Sequence, residues 1–270
     1  MSLNRYGVAL TAGLICTAGA SGAITTLSDA NSVVRVDDAS QAGLFDWTVD
    51  GVDQLFQQWF WFRTSSMGQE LSVDTMPLTG YSVSDTNPFD DPGLDTLSLR
   101  YTGAEIEFSA SWTLRGGTPG SALSDLSESL SIKNVSANPV TLTFFQYSDF
   151  DLGGTVADAW VEVSGVTNNT ISQKDIGFFM SETIVTPSPD NWEVNFFPAT
   201  VNSLNDLAIT TLNNNNGPIG PGDLTWAVSW NLTLNPGQSV TVVKDKSVVP
   251  TPGAAVLLGF GALAAVRRRR

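Results

Sequence analysis

Residues 104–114 alternate without a break, with Ile106, Phe108, Ala110, Trp112 and Leu114 on one face and Glu105, Glu107, Ser109, Ser111 and Thr113 on the other. A period of two is that of a strand with one face buried. Residues 126–134 and 140–148 repeat the pattern, and the Asn-, Ser- and Pro-rich stretch 134–139 between them predicts a hairpin turn. Residues 55–63 are apolar on both faces, Trp59 and Trp61 opposite Phe56, Phe60 and Phe62, as in a central strand covered on each side. Further strands are predicted over 32–36, 94–101, 157–164, 177–186, 191–197, 207–212, 224–234 and 239–243. Short strands punctuated by Gly, Pro and Asn turns predict an all-β fold: a single antiparallel β-sandwich of jelly-roll type.

Both ends depart from this alternation. Residues 1–23 combine Arg5, an apolar run over 7–20 and small residues from Ala18 to Ala23. That order is the one of a secretory signal helix, with cleavage after Ala20 or after Ala23. The run falls short of the roughly 20 residues that cross a bilayer. At the other end Val249, Pro250, Thr251 and Pro252 precede a short hydrophobic helix rich in Gly, Ala and Leu over 253–266, and then Arg267, Arg268, Arg269 and Arg270. Four arginines resist passage through a membrane, and the proline pair stops the helix at its outer face.

A Pro-containing motif, one hydrophobic segment and a terminal Arg cluster resemble the PEP-CTERM sorting signal of exported bacterial proteins, with Thr251 where the typical signal has Glu. The resemblance covers about the last twenty residues. It implies processing by an exosortase-type membrane enzyme, export to the cell-envelope surface or extracellular matrix, and association with exopolysaccharide and biofilm. The C-terminal segment would anchor the chain to the membrane before processing. The chain then divides into a signal peptide over 1–23, the sandwich over 24–243, a tether over 244–248 and the sorting and anchor segment over 249–270.

Composition narrows the chemistry. The 270 residues contain no His, which removes imidazole acid–base catalysis, the His-dependent nucleophile systems and the commonest transition-metal ligand. The single Cys, Cys16, lies in the signal segment, so the sandwich has no disulfide and no thiolate site. Net charge is −14 over the whole sequence. Between residues 24 and 250 it is −19, eight basic residues against 27 acidic ones. Nucleic acid is excluded as a partner, because phosphate binding needs clustered Lys and Arg.

Three groups could carry function. Asp149 and Asp151, two apart before Gly153 and Gly154 and with Asp158 downstream, can wrap a hard cation with carboxylate and carbonyl oxygens. No cofactor is required, and calcium is the one ion indicated; a strand end running into a turn would use the same residues. Asp85, Asp90, Asp91 and Asp95 form a second acidic loop with no register that favours metal over solvent. Among eight tryptophans, Trp59, Trp61, Trp112, Trp226 and Trp230 fall in buried registers, whereas Trp160 and Trp192 are flanked by acidic residues and are the candidates for stacking on a sugar ring. Carboxylate pairs such as Glu105 with Glu107 could serve glycoside hydrolysis only at a separation that a sequence does not display. The expectation is a non-catalytic exported surface or matrix protein. The alternatives are a carbohydrate-binding module, marked by Trp160 or Trp192 exposed in a groove, and a carboxylate-dependent polysaccharide hydrolase or lyase, marked by facing carboxylates in a cleft.

Overall fold

The computed structural model describes residues 24–89 and 91–251. Ala20, Ala23, Asp90, Pro252, the hydrophobic run and Arg267 to Arg270 lie outside the described residues, as do the two expected terminal helices. In chain order the strands are β1 (Ile24–Asp29), β2 (Ser32–Asp37), β3 (Gly43–Val49), β4 (Val52–Asp53), β5 (Gln57–Thr64), β6 (Leu71–Ser72), β7 (Leu78–Ser84), β8 (Thr96–Thr102) and β9 (Ile106–Gly116). They continue as β10 (Ser124–Asn134), β11 (Val140–Asp149), β12 (Ala159–Ser164), β13 (Thr170–Lys174), β14 (Phe178–Thr186), β15 (Asn191–Phe196), β16 (Ile219–Gly222), β17 (Leu224–Leu234) and β18 (Ser239–Pro250). Among the described residues one short α-helix, α1 (Ala199–Leu204), and two 3-10 turns, Val73–Thr75 and Leu152–Gly154, interrupt them.

The expected all-β sandwich is present. One nine-stranded sheet runs β1-β2-β3-β5-β11-β17-β15, with β4 on β3 and β6 on β5. The other runs β16-β12-β13-β14-β18-β10-β9-β8-β7. Pairing is antiparallel throughout except for a short parallel contact of β3 with β5. The turn at 134–139 joins β10 to β11 across the two sheets, so these neighbours in sequence pair with β9 and β18, and with β5 and β17, instead of with each other.

Alternation places Phe60, Phe144 and Trp230 of one sheet against Phe108 and Trp112 of the other, all buried. Ring centroids lie 5.1 Å apart for Phe60 and Phe108 and 5.2 Å for Phe108 and Phe144. β5 is apolar on both faces because both are covered: Phe60 meets the facing sheet, while the Trp61 indole donates to Asn205 Oδ1 just after α1 at 3.1 Å.

Two sequence expectations are corrected. Residues 244–248 are not a tether but the middle of β18, paired with β10 on one side and β14 on the other, and Lys244 and Lys246 point into the core. Residues 207–212 form no strand: they belong to the loop after α1, where the Thr210 amide donates to Glu70. Val249 and Pro250 of the sorting motif belong to β18 opposite Phe179 and Phe178, and the Thr251 amide donates to Gly177 O at 3.0 Å.

Candidate functional site

The outer face of β12, β13 and β14 is built from residues that alternate with the core. In register, Trp160, Lys174 and Phe179 form one row across the three strands, and Glu162, Ser172 and Ser181 the next. Trp160, Glu162, Ser172, Lys174 and Phe179, with Pro218 from the loop before β16, line a groove of about 460 Å³. Trp160 is 38% exposed, and the Lys174 ammonium lies 6.0 Å from its ring centroid. Gly220 of the neighbouring β16 runs against this indole; a Cβ there would fall 2.8 Å from the ring and 2.5 Å from Ala159 O, so only glycine lets β16 pack against the Trp. The groove therefore offers a flat apolar face between one carboxylate, one ammonium and hydroxyls, which matches the apolar C–H faces and polar edges of a sugar ring. Trp192 is half-buried against the core. Trp59, Trp61, Trp112, Trp226 and Trp230 are buried.

A second site forms where β11 ends. Asp149 is its last residue, Asp151 follows two residues later, and Asp223 stands between β16 and β17. One carboxylate oxygen from each lies within 4.8 Å of the other two. The three line a pocket of about 210 Å³ with Phe56, Val156 and Phe197. Phe56 and Phe197 are 54% and 40% exposed and meet edge to face at 6.3 Å. Backbone bonds fix the walls: Phe56 N donates to Asp149 O and Phe197 N to Asp223 O, both at 3.0 Å. Gly153 and Gly154 both take positive φ, which lets the chain turn back directly after Asp151, and Gly153 N donates to Gln54 Oε1 at 2.9 Å.

The electrostatics are those of like charges held together. Burial, then Asp151 and Asp223, push Asp149 up to about 7. Burial, then Asp223 and Asp53, push Asp151 up to about 6, and burial raises Asp223. Among the described residues no ion pair involves these three. Such a group can share protons or hold a hard cation.

Asp158, grouped with Asp149 and Asp151 in the sequence, sits instead beside Asp175, whose Oδ2 accepts the Thr155 hydroxyl at 2.8 Å. Its place is taken by Asp223, which lies 72 residues beyond Asp151 but, like it, stands within two residues of a glycine in a turn next to a strand. Phe56 is not the core residue that alternation implies: it precedes β5 and faces out. In the acidic loop Asp95 accepts the Thr86 amide at 3.0 Å and Asp91 the Gly93 amide at 3.0 Å, which accounts for both as backbone caps. Glu105 accepts from the Thr64 and Ser66 hydroxyls, so it does not face Glu107 across a cleft.

No family model matches the sequence. No curated protein matches it either. Solved structures do match in fold. A bacterial glucoamylase complexed with acarbose is 8% identical with a TM-score of 0.56, covering 97% of this chain and 37% of its own. The chain thus spans little more than a third of that enzyme's length. The Slr1438 protein from Synechocystis sp. PCC 6803 is 10% identical at a TM-score of 0.54, covering 91% of this chain and 99% of its own. An aldose epimerase homologue from C. elegans is 8% identical at 0.48, covering 86% and 99%.

At these identities the likeness is one of fold. It corrects the expectation of a non-catalytic chain, because the sandwich is one that a carbohydrate-active enzyme carries. The lack of His had weighed against catalysis, yet it leaves carboxylate chemistry untouched, and the fold brings three carboxylates together in one pocket.

Proposed function

We propose that this chain is a carbohydrate-active β-sandwich that binds a saccharide in the Trp160 groove. The observation that carries this reading is the exposed Trp160 indole, packed against Gly220 of the neighbouring β16 and set in one face with Glu162, Ser172 and Lys174. The sandwich that it shares with a glucoamylase supports the same ligand class. A sugar stacks its C–H face on the indole while its hydroxyls take the carboxylate, hydroxyl and ammonium at the edges. The terminal segments fit delivery to the cell envelope: a signal peptide exports the chain, and an exosortase-type enzyme acts on the PEP-CTERM-like tail. Exopolysaccharide is then the saccharide within reach.

Calorimetric titration of the full chain with soluble exopolysaccharide fragments tests this. Trp160→Ala is expected to weaken binding at least tenfold with the far-UV spectrum of a β protein unchanged, and Trp192→Phe to leave it intact. Binding that is indifferent to Trp160 overturns the assignment.

A further inference from the structure

We propose that Asp149, Asp151 and Asp223 hold one calcium ion at the mouth framed by Phe56 and Phe197. Asp149 is 2% exposed, and its Oδ1 has no hydrogen-bond partner. Its Oδ2 accepts only the Tyr147 hydroxyl, at 3.2 Å. A buried carboxylate oxygen without a donor, on the wall of a pocket with two further carboxylates, is a ligand position in need of a cation.

Geometry and donor type select the ion. Two oxygens bound to one calcium at about 2.3–2.6 Å can lie up to about 5 Å apart, and the three oxygens here lie within 4.8 Å of one another. Magnesium demands near-ideal octahedral placement and gives up its waters reluctantly, whereas calcium accepts irregular sets of oxygens. An all-carboxylate set without His or Cys is a hard-cation set. The ligands come from a strand end, a glycine-pinned turn and a strand start, so the site is formed before the ion arrives. Four other acidic groups lack this character: Asp91 and Asp95 accept backbone amides and the Thr86 hydroxyl, and Glu128 and Glu182 face two lysines.

The test is titration of the EDTA-stripped full chain with calcium chloride, by calorimetry and by thermal melting. One calcium per chain and a rise in melting temperature of several degrees are expected. Asp151→Asn and Asp223→Asn, both at partly exposed positions, should each weaken binding at least tenfold while melting no lower than the wild type in EDTA, since each removes a like charge. Asp91→Asn should bind as the wild type does. No saturable binding, unchanged affinity in the Asp151→Asn and Asp223→Asn double variant, or loss of binding in Asp91→Asn overturns the site. Magnesium binding as tightly as calcium overturns the choice of ion.

Discussion

Two lysines and two glutamates meet in the middle of the sandwich. Lys244 and Lys246 of β18 face Glu128 of β10 and Glu182 of β14, all buried. Lys246 is hydrogen-bonded to Glu128, and Lys244 Nζ lies 2.9 Å from Glu128 Oε1. Both lysines stand within 3.7 Å of Glu182. The facing sheet completes the shell: the Gln58 amide donates to Glu128 at 2.9 Å and the Gln146 amide to Glu182 at 3.0 Å. Burial works against the Glu128 carboxylate, but Lys244 and Lys246 outweigh it and hold the group down at about 2, below its ordinary 4.5. Burial lowers Lys244, whereas for Lys246 the two carboxylates prevail and raise it. A carboxyl with a depressed folded pKa binds its proton more weakly than in the unfolded chain. Its contribution is complete above pH 4.5 and is lost as pH falls toward 2. The thermal midpoint of the calcium-free protein should drop through that window. Glu128→Gln should flatten this part of the profile and, by leaving two buried ammonium groups with one carboxylate, cost about 3–5 kcal/mol at neutral pH. A parallel pH profile in wild type and variant would contradict the role given to Glu128.

At the scale of elements, β18 is the seam of its sheet, pairing with β10 along ten positions and with β14 along eight. Its inward set is Val242, Lys244, Lys246 and Val248, and a slip of one residue would bring Asp245 inside and expose the lysines. A chain ending after Val243 should therefore fail to fold, whereas one ending after Thr251 should melt as the full chain does; cooperative melting of the shorter chain would refute the pairing role. The strand is also where sequence reading stopped short. β9, β10 and β11 were legible because their own residues carry the period, and β5 because its apolar run covers both faces. In Lys244-Asp245-Lys246 the charges mask it, since the carboxylates that neutralise the lysines stand far away, at 128 and 182. The acidic pocket was half legible for the same reason. Asp149 and Asp151 are local, whereas Asp223, Phe56 and Phe197 arrive through pairing of β11 with β5 and β17 and of β17 with β15. Trp160 could be singled out because its acidic flanks, Asp158 and Glu162, are its own neighbours.

For the whole molecule the governing quantity is charge. Between residues 24 and 250, 27 acidic residues face eight basic ones, and Lys244 and Lys246 are spent inside the core. Glu128 and Glu182 are buried with them, so the quartet is neutral and the rest of the chain keeps the net −19, whose repulsion folding concentrates. Salt screens such repulsion over a Debye length of about 30 Å at 0.01 M and about 3 Å at 1 M. The melting temperature at pH 7 in EDTA should therefore rise with sodium chloride, by several degrees between low and half-molar salt. Glu128→Gln should rise in parallel, because solvent ions do not reach the buried quartet. Calcium acts differently: its effect should saturate at one ion per chain and be removed by Asp223→Asn, while the sodium chloride effect is nearly unchanged in that variant. A melting temperature independent of salt would mean that surface repulsion is already offset in the folded chain.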